Sequence, residues 1–171
     1  MAVVNLKVPE PLGQPEPASV EAVMERARAA QKAFANVDQE TADAAVRALA
    51  WSLYNPDHAR ELAELAVQDT GLGNVADKIR KKQRKTFGTL RDLLRAPSVG
   101  VIERDEAKGL VKYAKPMGVI GAVTPSTNPG ATPVNKAMMA VKGRNAIVIA
   151  PSPLGYRTTA RIVDLMRAEL V

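Results

Sequence analysis

The residues in this sequence that could do chemistry are hydroxyls and one carboxamide, gathered in two short stretches. Thr124-Pro125-Ser126-Thr127-Asn128-Pro129 offers three hydroxyls and an amide between prolines that fix its path. Pro151-Ser152-Pro153 offers one more hydroxyl, bracketed in the same way. A hydroxyl becomes a nucleophile only with a base in hydrogen-bond reach. The chain has one histidine, His58, and no sequence pattern places it beside Ser126 or Ser152, so a serine hydrolase is not expected. Cysteine is absent, which excludes thiol nucleophiles, thiolate zinc sites and disulfides. A single histidine also excludes a His-pair metal site, and no metal is expected. His58 follows Asn55-Pro56-Asp57 at a predicted helix start and reads as an ordinary surface side chain.

The second group with chemical potential is cationic. Lys78, Arg80, Lys81, Lys82, Arg84 and Lys85 supply much of the net charge of +6. Such a run could grip phosphates. However, Ile79 and Phe87 are read onto the opposite side of the helix, and no aromatic platform lies among the cations. The expectation is a solvated helix face, with no nucleic acid as partner.

The elements that position these residues follow from periodicity. The prolines at 9, 11, 15 and 17 make residues 1–18 an extended arm. Ser19 caps a predicted helix over 20–35 with Val20, Val23, Met24, Ala27, Ala30 and Phe34 on its stripe. Asp38 caps a second helix, carrying Ala42, Val46, Leu49, Ala50 and Leu53. A third runs over 57–69 on Ala59, Leu62, Leu65 and Ala66, and stops at Thr70-Gly71. A fourth starts near Asn74, with Val75, Ile79, Phe87, Leu90 and Leu94 inward. The period then changes, and 99–103 and 110–114 read as a hairpin. Two apolar runs, 119–123 and 146–150, read as buried strands. Each is followed by a loop and a helix, over 131–142 and 156–170. This alternation predicts an α/β fold: helices over 19–96, a hairpin over 98–115, and the βαβα start of a Rossmann-like parallel sheet over 118–171. The stripes of the four leading helices are expected to pack against the two strands in one mixed domain, with Leu90 buried.

Both candidate loops leave the carboxyl ends of those strands, where open α/β sheets bind ligands. The first leads into a helix whose amino terminus favours anions. No Gly-rich dinucleotide fingerprint or phosphate loop accompanies them. The residues alone leave a ligand site and a rigid connector both open. Two parallel strands leave edges and faces uncovered, and the last helix reaches Val171 without a capping residue. The expectation is a chain cut off in mid-fold. No apolar run is long enough to cross a bilayer and no secretory signal opens the chain, so a cytoplasmic protein without membrane contact is expected.

Two segments carry a resemblance. KPMGVIGAVTPSTNPGATPVNKAMMAVKGRNAIVIAPSP, over 115–153, resembles the cofactor-binding region of aldehyde dehydrogenases, and most of all their CoA-acylating subgroup. DTGLGNVADKIRKKQ, over 69–83, resembles an earlier segment of the same subgroup. The resemblance covers roughly 19–171 in matching order. Within the subgroup, KKQRKTFGTLRDLLR together with TPSTNP is most similar to the sulfoacetaldehyde-oxidising members.

The resemblance implies an enzyme that attacks an aldehyde with a cysteine thiolate, passes hydride to NAD or NADP, and hands the acyl group to CoA. It implies that this chain is the amino-terminal part of that enzyme and, having no cysteine, inactive alone. It further implies a small-molecule aldehyde as substrate, with sulfoacetaldehyde as a candidate, and a homo-oligomeric full-length protein. Thr124, Pro125, Ser126, Thr127, Ala150, Pro151, Ser152 and Pro153 are then cofactor-binding candidates, and Thr127 or Asn128 the oxyanion donor. Ordinary family members place the donor Asn where Thr127 stands and a ribose-binding Lys where Ala150 stands. A stand-alone nucleotide-binding or regulatory module without catalysis is the alternative.

Overall fold

The computed structural model describes residues 19–170, so the predicted arm over 1–18 lies outside the described residues. Helix α1 (Val20–Phe34) starts where the Ser19 hydroxyl accepts the Ala22 N–H at 3.2 Å. The Asp38 carboxylate starts α2 (Gln39–Tyr54) by accepting the Thr41 N–H at 2.8 Å. Asn55 then ends α2 and opens α3 (Pro56–Thr70): its carboxamide oxygen accepts the Asp57 N–H, and Pro56 occupies the first turn, where no N–H is needed. Gly71 closes α3 at φ 64°, a left-handed conformation that a residue with a Cβ adopts only at a cost. Asn74 caps α4 (Val75–Leu94).

Strands β1 (Gly100–Asp105) and β2 (Leu110–Ala114) form the expected antiparallel hairpin, with a register shift between Val101 and Glu103. The rest runs β3 (Val119–Thr124), α5 (Ala131–Lys142), β4 (Ala146–Pro151) and α6 (Tyr156–Glu169). The fold is α/β, with β3 and β4 parallel and joined by the crossover helix α5.

The core lies where α2, α3, α5 and α6 meet. Val46, Leu49, Leu53, Leu62, Val134, Met138 and Ile162 are buried there, with Ile147 and Ile149 of β4 packed against them. This corrects one expectation. The stripes of α2, α3 and α4 meet α5 and α6, and α5 in turn lies against both strands; of the leading helices it is α1 that packs on β3 and β4. The reason is layering: the crossover helix covers a sheet face, so helices packing on that side meet its outer surface.

Two stripes also differ from expectation. No residue of α1 is fully buried, and Val20 is 73% exposed. In α4 the buried residues are Lys78, Lys82 and Thr86, while Phe87 is 53% exposed and Leu90 is half-buried. At roughly 100° per residue, Thr86 falls inside the arc spanned by Val75, Ile79 and Leu93, Lys82 lies about 20° beyond its edge, and Phe87 falls far outside it. The solvated-face reading of the cationic run therefore holds for Arg80, Arg84 and Lys85 but not for Lys78 and Lys82.

The turn between α5 and β4 fixes the frame. Arg144 stands there at φ 58°, and its guanidinium donates to the carbonyls of Ala35 at 2.8 Å and Ala114 at 2.9 Å. The neighbouring Asn145 carboxamide accepts the N–H groups of Met117 at 2.6 Å and Gly118 at 2.9 Å. These bonds tie the ends of α1 and β2 and the start of β3 to the base of the sheet. At the same end, Lys142 and Asp43 form a largely buried ion pair.

Candidate functional site

The parallel register pairs Val119 with Ala146 and continues to Thr124 with Pro151, so β3 and β4 end level with each other. The two loops predicted to carry chemistry therefore begin side by side. Two bonds join them. The Ser152 N–H donates to the Thr124 carbonyl at 3.1 Å, and the Thr124 hydroxyl reaches the Ala150 carbonyl at 3.5 Å. Thr124 is only 2% exposed, so its hydroxyl braces the loops instead of facing solvent.

Beyond Thr124, the chain presents Pro125 and Thr127 to solvent, with Ser126 and Asn128 half-buried. The Asn128 carbonyl accepts the Thr132 N–H at 3.3 Å, which starts α5. Pro129 and Gly130 are buried. The Thr159 hydroxyl of α6 donates to the Pro129 carbonyl at 3.1 Å. On the second loop, Ala150 and Pro153 are exposed and Pro151 is half-buried. Ser152 turns its Oγ inward, where it is buried without a hydrogen-bond partner among the described residues. The loops interlock at Gly155: a Cβ there would stand 2.7 Å from the Pro129 Cβ and 3.3 Å from the Ser152 Oγ. Glycine is required by close approach.

The two helices that leave these loops begin differently. Asp69 at the end of α3 serves α6: its carboxylate accepts the Thr158 N–H at 2.9 Å and the Thr158 hydroxyl at 2.7 Å, and pairs with Arg157 at 3.4 Å. That carboxylate neutralises the positive end of the helix. Among the described residues no side chain caps α5, whose N-cap position is Gly130.

Against Gly130 lies a residue that sequence reasoning missed. Lys82 is 1% exposed, and its Cε and Nζ stand 2.9 and 3.4 Å from where a Gly130 Cβ would be. No carboxylate pairs with it among the described residues. Burial lowers its pKa to about 8, and the charges of Lys78 and Lys81 act in the same direction. Lys78, one turn earlier, is lowered by burial and by Lys81. For Lys82 the signal was its place at the edge of the helical arc described above, which hydrophobicity alone conceals because a lysine stem packs as an aliphatic chain; Lys78 lies further round the helix, outside that arc.

His58, half-buried, places its Nδ1 3.1 Å from the Ser52 carbonyl, inside the α2–α3 corner. No cluster of potential metal ligands occurs among the described residues, and none of their helices is long and apolar enough to cross a membrane. The loop cluster itself holds no histidine and no acid besides the engaged Asp69. Its chemistry is that of docking and orientation: N–H groups, hydroxyls and a buried amine at the carboxyl edge of a parallel sheet.

Comparison with known proteins agrees with this architecture. A sulfoacetaldehyde dehydrogenase (acylating) of Cupriavidus necator is 54% identical over 151 residues, covering 88% of this chain and 31% of that protein. The crystal structure of an acetylating aldehyde dehydrogenase from Geobacillus thermoglucosidasius superposes with a TM-score of 0.82 at 36% identity, over 86% of this chain and 32% of that one. A propionaldehyde dehydrogenase of Rhodopseudomonas palustris, solved with bound CoA and an acylated cysteine, gives 0.75 at 25% identity, over 88% of this chain and 34% of that one. The chain thus spans about a third of the length of the relatives it matches. The family model for the aldehyde dehydrogenase family matches residues 11–170, and the chain belongs to that family.

Proposed function

We propose that this chain forms one side of the dinucleotide-binding surface of an acylating aldehyde dehydrogenase, an enzyme that converts an aldehyde to its acyl-CoA with NAD or NADP. The observation that carries the reading is the level ending of β3 and β4, with both proline-bracketed loops braced together at the carboxyl edge of a parallel sheet.

The residues fit such a cofactor. Ala150 is small, uncharged and exposed, so a ribose can approach it closely. The Ser152 Oγ has no partner among the described residues, and Thr127 and Pro153 are exposed on the same edge. Prolines at both ends of the first loop restrict it beforehand, which lowers the ordering cost of binding. Bound there, the nicotinamide cofactor would supply the hydride acceptor for aldehyde oxidation.

The chain's own part is to hold and orient. Pro125, Ser126 and Thr127 together with Ala150, Pro151, Ser152 and Pro153 line the cofactor, and Thr124 sets the spacing of the two loops. Thr127 or Asn128 donates to the oxygen of the reacting aldehyde as charge develops on it. The chain contains no cysteine, so the reading assigns the thiolate that receives the acyl group to sequence other than these 171 residues. The likeness to the Cupriavidus necator protein supports sulfoacetaldehyde as the aldehyde. The reading takes residues 19–171 as part of one cofactor-binding domain of a cytoplasmic homo-oligomer.

Two experiments test it. Isotope-labelled NMR of the chain with NAD or NADP at millimolar level should shift residues of both loops together. Shifts confined to Arg80, Arg84 and Lys85 would replace the cofactor reading with general phosphate binding. The chain given sulfoacetaldehyde, CoA and NAD should form no NADH, and CoA-dependent turnover would contradict the assignment of the thiolate elsewhere.

A further inference from the structure

Two observations converge on the start of α5, and a third lies beside it. Lys82 is buried with its amine against Gly130 and pairs with no carboxylate among the described residues. The α5 amino terminus has no side-chain cap among the described residues, and the buried Lys82 amine lies against its N-cap glycine, so a cation sits at the positive end of a helix. The Ser152 Oγ, in contact range of Gly155 and so of Pro129, is buried and unpartnered among the described residues. Two positive features meet at Gly130, an idle hydroxyl lies on the adjoining Pro129–Gly155 contact, and no carboxylate among the described residues pairs with the amine.

We propose that this corner is an oxyanion-binding site, with Lys82 as its cationic residue and a phosphate- or sulfonate-type group as its ligand. It rests on the loops being a ligand surface, as proposed above, and adds to that surface a residue from α4.

The charged surroundings support the assignment. Along α4, Lys78 and Lys81 flank Lys82 and disfavour its ammonium form. From α3 comes Asp69, and from α6 Arg157, but these are engaged with each other and with Thr158. On α5 the first turn, Ala131 to Val134, carries no ionisable side chain. On α2, Asp43 is occupied by Lys142. A dianion docking at Gly130 supplies the missing negative charge. It stabilises the ammonium of Lys82, and by reciprocity the ammonium strengthens anion binding.

The test uses the whole chain with 13C-labelled lysine and follows the Lys82 Cε–Hε signal while sulfate, NAD and ethanesulfonate are added separately. The charge of each probe is constant across the range titrated. Each probe that binds should raise the pH at which Lys82 titrates, and sulfate affinity should fall about tenfold between pH ~7 and pH ~9.5. Lys82→Met should abolish that pH dependence, Lys82→Arg should keep binding without it, and exposed Lys85→Met should change neither. A larger response to NAD assigns the site to the cofactor's phosphates; a larger response to ethanesulfonate assigns it to a sulfonated substrate. A Lys82 midpoint unmoved by all three probes overturns the proposal, even with both loops shifting on NAD, an outcome that leaves the cofactor reading standing. Loops silent to NAD while sulfate moves Lys82 would do the opposite, supporting the oxyanion site and removing the cofactor reading. Equal effects of Lys85→Met and Lys82→Met also overturn the proposal, by tracing binding to the general basic face. If Lys82→Met does not fold, the midpoint shift in the unaltered chain decides alone.

Discussion

Replacing Gly155 with alanine tests whether the two loops are interlocked. The added Cβ would stand 2.7 Å from the Pro129 Cβ and 3.3 Å from the Ser152 Oγ. Carbon atoms in contact normally sit about 3.5–4.0 Å apart, so the first approach is short by about 1 Å. Pro129 cannot yield by rotation, because its ring is fixed and buried and its carbonyl is held by Thr159. The loops must move apart, at a cost of about 1–3 kcal/mol for overpacking. Restricting the unfolded chain returns about 0.4–1 kcal/mol, leaving a net loss near 1–2 kcal/mol. Urea unfolding followed by far-ultraviolet circular dichroism should show the midpoint falling by roughly 0.5–1 M. Gly88→Ala is the control: it lies inside α4, nothing stands within 4 Å of its added Cβ, and it should stabilise by about 0.5–1 kcal/mol. A Gly155→Ala midpoint equal to or above that of the unaltered chain would refute the interlock. In that case the loops would be free to separate, and the braced cofactor edge would lose its physical basis.

Other outcomes follow from the same geometry. Asp69→Asn should cost about 1–3 kcal/mol in the same melt, because the Thr158 N–H and hydroxyl and Arg157 lose a charged acceptor; a change below about 0.5 kcal/mol would mean that α6 needs no cap. Lys82 makes stability rise with pH. Its folded pKa of about 8 lies below the unfolded value of 10.5, so the unfolded chain binds more protons between the two. Stability should climb by up to about 3 kcal/mol across that window and climb much less in Lys82→Met, where the buried Lys78 still holds a lowered pKa; the same slope in both proteins would assign the effect to other groups. Leu53→Ala, at a fully buried position of α2, should cost about 2–5 kcal/mol, whereas Phe87→Ala, on the exposed side of α4, should cost well under that. Comparable losses would place Phe87 in the core after all.

Element by element, the chain was legible where a local rule has one outcome. Ser19, Asp38, Asn55 and Asn74 each satisfy N–H groups that no helix can satisfy internally, so the starts of α1 to α4 were fixed by side chains three residues or fewer away. Gly71 stops α3 because the left-handed turn suits a residue without a Cβ. The apolar runs over 119–123 and 146–150, joined by a helix, had to become parallel neighbours, and that alone brought the two candidate loops to one edge. The absence of cysteine by itself excludes a thiolate within these 171 residues.

Tertiary structure decided what depends on the back of another element. Hydrophobicity placed Lys78 and Lys82 in water, but the corner between α4 and α5 accepts lysine stems, and the buried amine lies where Gly130 leaves room for it. Thr124 reads as a free hydroxyl in a polar loop, yet the level ending of the strands turns it onto the Ala150 carbonyl. Asp69 and Thr158, far apart in sequence, become cap and helix start only once α3 lies beside α6. Local sequence sets which backbone groups need partners; when those partners come from distant segments, their identity is fixed by packing, because burial and charge are properties of the assembled surfaces.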